Sequence, residues 1–241
     1  MSASGIRQQQ ILLIVATLAL GLALDVRSGF AGQATISVAV WGVLFYLRGR
    51  VERDERRALM ACLVIATVGE IFCSLVWGLY IYRLGNIPLF VPPGHALMLL
   101  LGISLARRMP HAVAHAIIGC AAIYSLAAAA AGFDTLAVPL FLVLAVVSLT
   151  MPRHRRLFAS TFVLTLALEL YGTWLGNWTW ARAVPGTALV TTNPPGTAGA
   201  FYCVLDALVV GSSLLLAPRS DARSARTDVN ALGLVSGRVD R

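Results

Sequence analysis

The tightest constraint on this chain is a rhythm: apolar runs of sixteen to twenty-five residues, separated by short segments that hold most of the arginines. A helix needs about 20 residues to cross a hydrocarbon core, fewer where its ends lie among headgroups. The rhythm therefore predicts spans near 9–26, 32–47, 58–82, 89–106, 112–131, 135–151, 157–175 and 198–217. With 58% hydrophobic and 12% charged residues, a water-soluble domain could not hide the apolar surface. The expected class is all-α: a polytopic membrane helix bundle of about eight spans.

The arginines test the count, because they gather on the cytoplasmic side of a membrane. Eight spans place Arg7, the "RGRVERDERR" loop, Arg107 with Arg108, Arg153 with Arg155 and Arg156, and five tail arginines on one side. Sixteen arginines fall there, against Arg27, Arg83 and Arg182 on the other. The expectation is a cytoplasmic (inner) membrane protein with both termini in the cytoplasm. The first run also has a signal-peptide pattern, but the even count needs it as a retained span. Residues 218–241 turn polar and read as a disordered cytoplasmic tail.

All nineteen basic residues are arginine, so no lysine exists to carry a retinal Schiff base, and rhodopsins are excluded. The +8 charge is read as topology and anionic-lipid contact; the expected partner is membrane lipid, and no nucleic acid. Cys62, Cys73, Cys120 and Cys203 fall in apolar runs and read as packing residues. Nothing in the sequence specifies an oligomeric state.

Inside the rhythm lies an echo. "RRALMACLVIATVGE" ends at Glu70, and ninety-nine residues on "RRLFASTFVLTLALE" ends at Glu169. Each continues into an aromatic exit, "WGLYIYRLGN" or "YGTWLGNWTW", and then Pro-Pro-Gly. Four spans separate the copies, so both run the same way, and two parallel repeats of four spans are expected over 1–106 and 107–217. Thirteen helical residues rise about 20 Å, which puts both acids past the midplane at matched depth. Asp206, ten residues after its Pro-Pro-Gly, has Ser104 at the matching place in the first copy.

An acid in hydrocarbon faces a cavity, finds a cation or keeps its proton. No Arg or His falls in the predicted middle of a span, so protonated carboxyls are expected, and Glu70, Glu169 and Asp206 are the candidate catalytic residues. The first copy adds Trp77, Tyr80, Tyr82, Asn86 and His95 as candidate substrate-binding residues; the second adds Tyr171, Trp174, Asn177, Trp178 and Tyr202. A carboxylic acid among aromatic faces suits protonation of an isolated C=C, with the cation held by ring quadrupoles. Such a substrate is apolar, an isoprenoid. The i, i+4 pair His111 and His115 has no nearby carboxylate, so no metal and no cofactor are expected. Asn177-Trp178-Thr179 matches a glycosylation sequon and is read as chance.

The run "GEIFCSLVWGLYIYRLGNIPLFVPPGHAL" resembles the acid-plus-aromatic span and proline-bearing outer loop of membrane carotenoid hydratases and lycopene cyclases. Small multispan terpene cyclases are similar in using an early Glu and a late Asp, which correspond here to Glu70 and Asp206. The resemblance implies cyclisation or hydration in isoprenoid or carotenoid lipid metabolism. Two other classes stand beside this enzyme: a proton-coupled small-molecule carrier that uses the same acids, and a non-catalytic scaffold in which they are helix glue.

Overall fold

The computed structural model describes residues 8–215, with side chains through Ser212; the tail expected over 218–241 lies outside the described residues. Helices dominate: α1 (Gln8–Asp25), α2 (Phe30–Arg48), α3 (Arg53–Glu70), α4 (Val91–Arg108), α5 (His111–Ala130), α6 (Ala137–Thr150), α7 (Arg155–Leu175) and α8 (Gly199–Leu215). Two three-residue strands, β1 (Tyr80–Tyr82) and β2 (Trp178–Trp180), add a small sheet to the expected all-α bundle.

Five helical segments are long and apolar enough to cross a membrane: α1, α2, α5, and the stretches Arg53–Val76 and Pro152–Leu175. The helix α6 and the described apolar part of α8 are shorter, while α4 begins with Val91-Pro92-Pro93-Gly94-His95 and ends in Arg107-Arg108. Only 17% of α1 is buried in the bundle, and Leu12, Leu20 and Val38 are exposed. Faces that apolar need an apolar surrounding.

The helices α3, α4, α7 and α8 pack together at the centre, with α1 and α2 against α4, α5 against α7, and α6 against α8. Small residues bring the backbones close. Gly102 of α4 lies against Thr161 of α7, and a Cβ added at Gly199 of α8 would fall 2.6 Å from the Phe162 carbonyl oxygen. At the arginine end, a capping box of Glu52 and Glu55 starts α3, and Arg107 at the end of α4 bridges to Glu55 at 2.6 Å.

The third span was expected to stay helical to residue 82, and it does not. After Glu70 the helix widens into a π-helical turn over Ile71–Val76, where the Trp77 N–H donates to the Phe72 carbonyl at 2.7 Å. Gly78, at φ +74°, then turns the chain into β1. In the second copy Gly176, at φ +88°, caps α7 and leads into β2. Eight residues separate Glu70 from Gly78 and seven separate Glu169 from Gly176, and the wider π turn takes up the extra one.

The strands pair antiparallel with Tyr80 opposite Trp180, Ile81 opposite Thr179 and Tyr82 opposite Trp178. This register is what a local twofold axis through Ile81 and Thr179 produces when it exchanges the two aromatic segments. Alternation puts the four rings on one face and exposes Ile81 on the other.

Candidate functional site

Under the four rings lies a cavity of about 380 Å³ with largely apolar walls from α1, α2, α3, α4, α6, α7 and α8. Glu70 and Glu169 both line it, each 7% exposed, and their charges lie within electrostatic reach of one another. Each acid ends the helical stretch before its own aromatic segment, and that segment folds back over it.

Glu70 Oε2 accepts hydrogen bonds from the Tyr80 hydroxyl at 2.8 Å and the Tyr82 hydroxyl at 2.7 Å. Burial, then the Glu70 charge, pushes both phenols well above their ordinary pKa, so they remain protonated donors. Its other oxygen, Oε1, lies 3.3 Å from His95 Nε2. His95 Nδ1 sits 3.0 Å from the Val91 carbonyl oxygen, which accepts only, so Nδ1 carries a hydrogen. A carboxylate oxygen facing an imidazole nitrogen at that distance then needs one proton between them, held by either group. His95 also stacks on Tyr202, with ring centroids 4.7 Å apart and planes 7° from parallel.

Glu169 Oε2 accepts from the indole N–H groups of Trp178 at 2.8 Å and Trp180 at 2.9 Å. Indoles donate only, so a proton on Glu169 belongs to Oε1, which has no hydrogen-bond partner among the described residues. Close packing holds Trp178 in place: a Cβ at Gly172 would collide with its ring. The Pro-Pro-Gly of the second copy is followed by Thr197, whose hydroxyl donates to the Ala137 carbonyl at 3.4 Å, so His95 has no counterpart there.

The structure brings Glu70, Glu169, Tyr80, Tyr82, His95, Trp178 and Tyr202 to one cavity, together with Trp180, Phe90 and Phe201. The remaining candidates lie elsewhere. Asp206 is buried at 2% exposure but off the cavity wall, beside Thr161, Cys62 and Cys203, and its Oδ2 has no hydrogen-bond partner among the described residues. Helix α8 explains this, because it turns Tyr202 and Leu205 toward the cavity and Asp206 toward α3 and α7. Trp77 donates to the Pro185 carbonyl at 2.9 Å, Tyr171 to the Ala19 carbonyl at 3.1 Å, and Asn86 to Gln33 Oε1 at 2.7 Å. Trp174 is 78% exposed and faces outward. The expected absence of cations near the acids is corrected by His95, which the Pro-Pro-Gly start of α4 carries to Glu70.

Two buried acids that the sequence pattern did not single out hold the loops around the strands. Asp25 accepts from Gln33 at 3.1 Å and Asn177 at 2.9 Å, with Arg83 at 3.8 Å. Asp134 accepts from Tyr124 and Thr191 at 2.9 Å and from the Gly196 N–H at 3.1 Å. Both stand just before turns between helices, where an isolated Asp reads as an ordinary loop residue. His115 Nε2 faces Arg155 at 2.7 Å, and no group of three potential metal ligands is found among the described residues.

Fold and site together define a helical protein that encloses a pair of glutamates in an apolar, aromatic-roofed cavity. No protein-family model matches the chain, no curated protein matches its sequence and no solved structure matches it.

Proposed function

We propose that the chain is a multi-pass enzyme of the cytoplasmic membrane that protonates an apolar isoprenoid or carotenoid-like lipid, leading to cyclisation or hydration. All eight helices cross the membrane as two parallel repeats of four, with the arginine end and both termini in the cytoplasm. The observation that carries the reaction is the unequal pair of acids in one apolar cavity: Glu169 Oε1 without a partner, and Glu70 paired with His95.

In this mechanism Glu169 Oε1 gives its proton to one carbon of a C=C, whose π electrons form the new C–H bond. Trp178, Trp180, Tyr202 and Phe201 line the cavity and supply the aromatic surroundings for the resulting cation. Loss of a proton from carbon to the Glu70–His95 pair forms a new C=C in a cyclised or isomerised product, while attack by a water molecule that gives up one of its protons to the same pair forms the C–O bond of the hydrated one. Return of the proton from that pair to Glu169 restores the starting state. The indole N–H groups stabilise the carboxylate left on Glu169, each charge-assisted bond contributing about 1.5–3 kcal/mol.

A second reading rests on the local twofold match of the two acid segments: a proton-coupled carrier in which the acids load and release a proton in turn. Comparing lipid extracts by mass, from a host with and without the gene, tests the enzyme. A product heavier by one water, or an isomer of equal mass that disappears with Glu169→Gln, supports it. Identical extracts from a well-expressed, correctly inserted protein overturn it.

A further inference from the structure

The cavity has one flank that its own symmetry leaves uncovered. Ninety-nine residues relate Leu168 of α7 to Gly69 of α3, and both line the cavity. Across Leu168 lies α1, which contributes Thr17, Leu18 and Gly21 to the wall and is pinned by the hydrogen bond from Tyr171 to Ala19. The corresponding helix of the second copy, α5, packs on α6 and α7 instead. Among the described residues α3 packs mainly on α4, α8 and its own π turn, and α5 packs far more on α6 and α7 than on α3. Gly69 is exposed there, and Leu208 of α8, also part of the cavity wall, is 53% exposed. Val143 of α6 and Val204 of α8 also line the cavity.

We infer that this flank, bounded by Ile65, Gly69, Val143, Val204 and Leu208, is a lateral mouth through which a single hydrocarbon chain passes from the bilayer into the glutamate cavity. Every boundary residue is apolar, so a chain sliding through breaks no hydrogen bond and a charged solute gains none. Gly69 keeps the gap wide: a Cβ built there meets nothing within 4 Å, although the residue forms part of the cavity wall. The far end of the entering molecule would remain among lipid tails, which selects long, mainly unbranched or isoprenoid molecules over compact polar ones. The inference rests on the proposal that the cavity takes an apolar molecule, but not on any reaction there.

The test uses the full chain in phosphatidylcholine nanodiscs with a long-chain alkyl diazirine, a bilayer-soluble photoprobe that marks carboxyl groups. Peptide mass mapping reads the label on Glu70 and Glu169. The native protein is expected to carry it, and Gly69→Leu and Leu208→Trp, which put a bulky side chain into the open gap, should each lower it about tenfold, or about 1.4 kcal/mol of access. Gly69→Ala, which adds one methyl group to open space, is expected to stay close to native. Unlabelled glutamates in the native protein, or label unchanged by both blocking substitutions, overturn the mouth. Label that reaches the glutamates in a protein whose host makes no new lipid retires the proposed reaction and leaves the mouth standing.

Discussion

The two acid segments occupy related positions and solve the same problem with different chemistry. Each buries one carboxyl oxygen under two donors from a strand nine to twelve residues further on. The first copy uses phenols and adds an imidazole; the second uses indoles and adds nothing. A phenol both donates and accepts and an imidazole takes up a proton, whereas an indole only donates. In the proposed reaction this difference assigns proton uptake to the Glu70 site and proton donation to the Glu169 site. Matched geometry carries unmatched partners at the two acids.

Substitutions can break that distinction. The largest effect is expected from Glu169→Gln, which keeps an oxygen for the indoles but has no acidic proton; product in the host's lipid extract should fall about 10³-fold. Glu70→Gln should follow at about 10²-fold, since it removes the proton acceptor and leaves the donor intact. Full activity in both variants would end the catalytic and carrier readings together. His95→Gln keeps a polar side chain near Oε1 without an imidazole and is expected to cost about tenfold in product. If it costs as much as Glu70→Gln, histidine and glutamate act as one unit. The last pair of variants reads stability: Trp178→Phe should lower unfolding free energy in detergent by about 3 kcal/mol and Tyr82→Phe by about 1 kcal/mol. The first deletes ring volume as well as a donor, and the second only a hydroxyl. Equal losses would mean that the two roofs are held by their hydrogen bonds alone.

The ninety-nine-residue echo made the paired acids legible, because two apolar runs that each carry one carboxylate at the same depth point to a shared site. Helix positions followed from the apolar rhythm, including the early start of α4 at its Pro-Pro-Gly. The strands were hidden because "YIY" and "WTW" are three residues long and abut helices, so their period-two alternation could not be told from the end of a span. Misplacement of Asp206 and Trp174 has another source. Depth along a helix can be counted from sequence, but the side it faces depends on the crossing of its neighbours, and here α8 points Asp206 into α3 and α7. His95 escaped as a partner for Glu70 because the two meet only after α4 packs beside α3, a contact no local pattern encodes.

The strand register carries a consequence for how such a molecule is put together. A ladder centred on Ile81 and Thr179 is the contact that one segment would make with an identical duplicate of itself. A pair of identical subunits would be obliged to carry two histidines or none. Joining both segments in one polypeptide lifts that obligation, and the centre carries a single histidine.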